Sequence, residues 1–204
     1  METQRSKHRY FAEIVESSLT NWTAQSWQWD TFPEFGSLVT VTTKKRTIFG
    51  IVYEIKTGSM EQGRYPFTYQ KTEEELMAEQ PQIFEFLKTT FSCLTLGFQE
   101  HDVVVHQLAP EPPKIHAFVG PILPTQYKPF FSNTGYLHLM FAASEMCMLD
   151  ELLLALLRNL QNNNTLTEEK LYQIIDAIAL LSGNDYRRLK ILMSRIPHSL
   201  AKLQ

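Results

Sequence analysis

The stretch SLVTVTTKKRTIFGIVYEIKTG, residues 37–58, holds two runs of β-forming residues joined by a short cationic link. Leu38-Val39-Thr40-Val41-Thr42 is the first run and Thr47-Ile48-Phe49-Gly50-Ile51-Val52-Tyr53 the second. β-Branched and aromatic side chains suit a pleated, packed surface, so the two runs predict a hairpin with Lys44-Lys45-Arg46 at its tip. Gly50 inside the second run marks a bulge, or a sharp bend of the sort that barrels use. Three charges at a tip are commonly just solvated; in a nucleic-acid binder they contact phosphates.

Further along, Gly58 and Gly63 keep the spacing of a phosphate-binding loop. The chemistry fails. Arg64 and Tyr65 stand where lysine and a short hydroxyl belong, and Pro66 pushes Tyr65 away from the helix that such a loop must open. The two glycines are expected to serve turns.

The chain has 204 residues, enough for one large or two small domains. Apolar residues make up 44%, with 13 Phe and 8 Tyr, so a core of adequate size is available. A net charge of −3 argues against whole-surface attraction to nucleic acid or anionic membrane, though not against a local basic patch. Cys93 and Cys147 give neither a disulfide framework nor zinc spacing. Both sit among apolar neighbours, which predicts free thiols in a reduced, cytoplasmic chain. The start METQRSKHRY has no apolar signal core, and no run is long enough to span a membrane.

RYFAEIVESS (9–18) reads as a first strand. Trp22, Trp27 and Trp29 follow within eight residues, as a packing cluster or as a base-stacking platform. From residue 72 the pattern turns helical. Thr72 with Glu75 makes a capping box, and three acids in the first turn suit the helix dipole. Pro81 opens a second expected helix, PQIFEFLKTT, with Ile83, Phe84, Leu87 and Phe91 at helical spacing. SCLTLGFQE and DVVVHQL are strands, and KIHAFVGP, flanked by prolines, is expected to be an edge strand. GYLHLMF is either a strand or the start of a helix.

The last third is helical. SEMCMLDELLLALLRNL lacks breakers, and QNNN is a loop. Thr165 with Glu168 suggests a capping box, ahead of a stripe of Leu171, Ile174, Ile175 and Ile178 and a C-cap at Gly183. NDYRRLKILMSRI is a third helix, capped by Asn184 or Asp185 and stopped by Pro197. Strands first and helices after suggest two modules, divided between about 125 and 143.

Chemistry-bearing constellations are sparse. The histidines are His8, His101, His106, His116, His138 and His198, and of these His101, His106 and His116 tempt a metal reading. Positions 101 and 106 of one strand would face opposite sides, however, and no HExxH or HxH occurs. Cys147 paired with a distant histidine would be a nucleophile, but Met146 and Met148 beside it suggest helix core. No GxSxG and no paired strand-end carboxylates appear. No catalytic residue, metal or cofactor is therefore expected.

Four motifs in order, FAEIVESSLTNWTAQS, FGSLVTV…RTIFGIVYEIKTGS, EQPQIFEFLKTTFSCLTLGF and LAPEPPKIHAFV, resemble the HAS-barrel family, named for HerA-type translocases and ATP synthase. The likeness covers roughly residues 8 to 122. NDYRRLKILMSRI is similar to the helical tail of small stand-alone members. The resemblance implies a small β-barrel that mediates association, in a chain lacking the ATPase motor. The expected fold class is therefore β + α: an N-terminal barrel with inserted short helices over 8–125, then a C-terminal three-helix module over 140–204. The expected function is a non-enzymatic assembly or adaptor module. It would act through barrel edges or the helical face around DELLLALL, as a homo-oligomer or with a HerA-type motor. Pro112, Pro113, Ile115 and His116 are the expected interface residues. The alternative is a single-stranded nucleic-acid binder using Lys44, Lys45, Arg46, Trp22 and Trp27.

Overall fold

Leu38 lies opposite Ile51 and Thr42 opposite Thr47, so the hairpin over 37–58 forms in the computed structural model. The structure describes residues 9–60, 67–183 and 185–196. Thr43 ties the tip: its N–H and its hydroxyl both donate to the Arg46 carbonyl, at 2.8 and 2.9 Å. Seven strands are present among the described residues: β1 (Ala12–Ser17), β2 (Asn21–Ser26), β3 (Leu38–Thr42), β4 (Thr47–Ser59), β5 (Leu87–Glu100), β6 (Val103–Val105) and β7 (Phe118–Pro121). Six of them close an antiparallel barrel in the order β1–β2–β5–β4–β3–β7 and back to β1. The pairing of β2 with β5 is the closing seam. β6 hangs outside on β5.

Two residue layers explain the near-continuous apolar runs in β3, β4 and β5. Val39, Val41, Val52, Phe91 and Cys93 face into the barrel with Ala12, Ile14, Trp22, Ala24 and Val119. Leu38, Phe49, Ile51, Leu94 and Leu96 face outward and are covered by helices. A sheet buried on both faces loses the polar alternation of a half-exposed one. Gly50 sits at a register shift of β4 against β5. A Cβ there would stand 2.5 Å from Trp22 Cζ2, so the bulge is where the indole packs against bare backbone.

The helices are α1 (Glu73–Glu79), α2 (Gln82–Glu85), α3 (Pro124–Phe130), α4 (Tyr136–Ala142), α5 (Leu149–Asn162), α6 (Glu168–Leu181) and α7 (Tyr186–Arg195). The expected β + α architecture is present, with α5–α7 as the C-terminal three-helix module. α5 is buried nearly all round, from Leu149 through Leu160, as a helix wedged between barrel and neighbours must be. Arg188 of α7 grips Asp150 of α5 through Nε and Nη2 at 3.1 and 2.7 Å, and Arg195 holds Glu151 at 2.5 Å. The capping box of Thr72 and Glu75 forms. Gly183, at φ +63, follows the end of α6 as expected.

Several expectations are corrected. The helix read over PQIFEFLKTT stops at Glu85, and β5 starts at Leu87. Thr89, Thr90 and Phe91 are good strand formers, and Phe91 is needed inside the barrel, where it is 1% exposed. KIHAFVGP does not make an edge strand: β7 covers only Phe118–Pro121 and is paired on both sides, by β1 and by β3. Thr167, not Thr165, caps α6 by accepting from Lys170 N–H; the Thr165 hydroxyl donates to the Leu160 carbonyl. Met146 and Met148 are exposed rather than core. Gly58 lies within β4, opposite Lys88, and serves no turn. Gly63, Arg64, Tyr65 and Pro66, with His8, Asn184, Pro197 and His198, fall outside the described residues.

His106 joins the barrel to the helices. Its Nδ1 faces the Leu96 carbonyl at 3.2 Å and its Nε2 the Phe130 carbonyl at 2.9 Å. Its ring packs edge-on against Phe130 and Tyr136. Burial lowers its pKa from the ordinary 6.5, and this outweighs the pull of the two carbonyls toward the charged form. A histidine with a depressed folded-state pKa leaves the unfolded chain holding more protons. Its contribution to stability is therefore complete above 6.5 and lost as pH falls below it. Unfolding free energy measured between pH 7 and 5 should fall more steeply for wild type than for His106→Gln, which keeps a donor but does not titrate.

Candidate protein interface

Among the described residues, a barrel wall that the helices leave largely bare runs across β2, β1 and β7. Ala12 and Ile14 point inward, so Glu13 points out. It lies opposite Gln25 on one side and Phe118 on the other. The Glu13 carboxylate collects two partners from distant sequence. Trp27 Nε1 donates to its Oε1 at 3.2 Å, and His116 Nδ1 lies 3.3 Å from its Oε2. Trp27 stands edge-on against Phe118, with ring centroids 5.5 Å apart, and Tyr10 leans on the other side at 5.6 Å. Trp27, Phe118, Ile115 and Val15 are each 39–49% exposed. The result is an aromatic patch held in place by one carboxylate.

The segment before β7 is a strap laid along β1. The Ser17 hydroxyl donates to the Pro113 carbonyl at 2.6 Å, His116 N–H to the Ile14 carbonyl at 2.9 Å, and Ile14 N–H to the Ala117 carbonyl at 3.0 Å. His116 has φ +64, an uncommon conformation for a side-chain-bearing residue. It turns the strap so that Ile115 and the imidazole face outward. Pro113 is buried and Pro112 exposed. Of the four expected interface residues, His116 touches Glu13, Ile115 is exposed next to it in the strap, Pro113 is tied to Ser17 through its carbonyl, and Pro112 is exposed.

The nucleic-acid constellation does not come together. Trp22 is 1% exposed inside the barrel and has no face free for a base. Trp27 belongs to the Glu13 patch, and Trp29 stacks on Phe84. Lys44 and Lys45 are exposed at the hairpin tip. Arg46 folds back over the Phe98 ring and lies 3.6 Å from Glu100. The other expected contact surface, the face around DELLLALL, is closed: Leu152 through Leu157 are buried against the barrel and the neighbouring helices.

Other chemistry is thin. No group of three or more His, Cys, Asp or Glu able to hold a metal occurs among the described residues. Burial pushes both thiols, Cys93 and Cys147, above the ordinary range, so neither is an activated nucleophile. No helix among the described residues is long and apolar enough to cross a membrane. A cleft of about 680 Å³ opens between α6, α7 and residues 132–134, beside the exposed Leu180 and Tyr186. A scan against protein-family models finds no match, and none of the curated proteins searched matches the chain.

Proposed function

We propose that this chain is a non-enzymatic assembly module whose barrel binds protein through the patch around Glu13. One observation carries the reading: Trp27, Tyr10 and Phe118 pack together on a barrel wall that the helices leave largely bare, with the exposed Ile115 in the strap that crosses it. Tryptophan and tyrosine on a rigid frame are the side chains that dominate protein interfaces. The central carboxylate disfavours a phosphate backbone and suits a protein face offering a donor or a cation. The motif likeness to the HAS-barrel family points the same way, toward a stand-alone barrel that associates with itself or with a HerA-type motor ATPase. The closed six-stranded barrel is compatible with that kinship.

The test is sedimentation velocity over a dilution series, alone and with a HerA-type ATPase, using wild type and the double variant Trp27→Ser, Ile115→Asp. Both positions are exposed, so the fold should persist. Removal of an aromatic anchor typically weakens binding by about 2 kcal/mol or more, roughly thirtyfold. A wild type that stays monomeric and binds no motor would refute the proposal, as would a double variant that associates unchanged.

A further inference from the structure

A second surface lies at the hairpin tip, and it has a different chemistry from the Glu13 patch. There the β3–β4 tip and the β5–β6 turn frame a cleft of about 550 Å³. Lys44, Lys45 and Arg46 line it with one carboxylate, Asp102, and Glu100 lies 3.6 Å from Arg46 beside it, so three cations stand against two anions. The hydroxyl-bearing residues Thr43, Thr47 and Thr125 line it too. The turn is unusual: His101 and Asp102 both have positive φ, at 49° and 65°. That turn closes the β5–β6 hairpin tightly beside the tip.

Arg46 adds an independent observation. Its side chain is 12% exposed, with one edge near Glu100. Its Nη1 is buried and has no hydrogen-bond partner among the described residues. A buried, unsatisfied guanidinium donor is rare in a folded protein and calls for an acceptor. Gln99 and Gln126, which also line the cleft, are already bonded to each other at 3.0 Å. An arriving oxyanion would thus meet two exposed ammonium groups at the mouth, with the Arg46 guanidinium behind them, rather than an amide.

No Phe, Tyr or Trp among the described residues lines the cleft. Trp22, inside the barrel, and Trp27, on Glu13, are not part of it. A ligand here has no broad ring to stack on, so its phosphates alone would be recognised. We infer that the cleft framed by Lys44, Lys45, Arg46 and the His101–Asp102 turn binds a phosphate-bearing polyanion without reading its bases. The source of the phosphate is either a free oligophosphate or a phosphodiester backbone. This inference does not depend on the assembly function proposed above.

The probes are inorganic tripolyphosphate, oligothymidylate and an abasic deoxyribose-phosphate oligomer of equal length, each titrated at low and high salt. The variants are Lys44→Gln with Lys45→Gln, both exposed, and Lys114→Gln with Lys190→Gln, also exposed and outside the cleft, as a charge-matched control. Binding should weaken with salt. The double variant should bind about tenfold or more weakly, since a charge-assisted hydrogen bond to a phosphate oxygen is worth that much, while the control stays as wild type. Tripolyphosphate binding supports the inference with a free anion as the source. Equal binding of the two oligomers without tripolyphosphate supports it with a backbone as the source. Oligothymidylate binding at least tenfold tighter than the abasic oligomer would overturn it. So would binding that the double variant retains in full, or no binding of any probe at low salt.

Discussion

Trp22→Ala should cost about 3–5 kcal/mol of stability, the range for removing a fully buried aromatic side chain. The indole is among the largest fully buried side chains, and its residue sits on the closing seam, opposite Cys93 of β5. Deleting it opens a cavity where β2, β4 and β5 meet. Domains of this size are typically stable by only about 5–15 kcal/mol, so the variant should unfold at much lower urea. The bulge supplies a control. Gly50→Ala places a Cβ 2.5 Å from Trp22 Cζ2 and 3.1 Å from Cys93 Cβ. It should destabilise the wild type and cost clearly less when Trp22 is already alanine. Additive costs in that double-mutant cycle would show that the indole does not pack on residue 50.

Gly36→Ala should be strongly damaging for a single-methyl change. Gly36 has φ +78, where a Cβ brings strain of about 1–2 kcal/mol. That Cβ would also lie 2.4 Å from Ala155 Cβ and 3.0 Å from the Ala155 carbonyl carbon, on the backbone of α5. A buried helix has no flexible end to yield, and overpacking of this kind typically costs about 1–3 kcal/mol more. Thermal unfolding should therefore show destabilisation of about 2–5 kcal/mol for one methyl. The Ala155→Gly background should recover the part due to overlap with the Ala155 methyl and leave the parts due to φ and to the α5 backbone. An unchanged midpoint for Gly36→Ala would mean that α5 does not press on this loop.

The hairpin over 37–58 is legible in the sequence because local propensity and tertiary need agree there. The continuous burial of Leu38–Val41 and Ile48–Val52 also explains why no polar alternation marks an outer face: helices cover it. The α2–β5 boundary is hidden for the opposite reason. Ile83, Phe84, Leu87 and Phe91 satisfy a helical period, but β5 must reach back far enough to pair with both β2 and β4. That demand is non-local and leaves no trace in a short window. Thr89-Thr90 is the one local hint.

The site is legible only in pieces. Residues 22 and 27 are an odd number apart, so an extended chain sends their side chains to opposite faces. Applied to the tryptophans, that parity places one inside the barrel and one outside. Ile115 and His116 stand out through a resemblance; His116 touches Glu13, and Ile115 is exposed next to it. Glu13, which ties His116 to Trp27, carries no local signal. Its two partners come from positions 27 and 116, and only barrel closure brings them together.

Hydroxyl-radical footprinting of the protein, comparing its free and associated states, locates the contact surface. Association through the bare wall predicts protection of Trp27, Phe118 and Tyr10, with Tyr172, Leu180 and Tyr186 on the helical side oxidised as before. Protection of those helical side chains, with Trp27 and Phe118 unchanged, would contradict it.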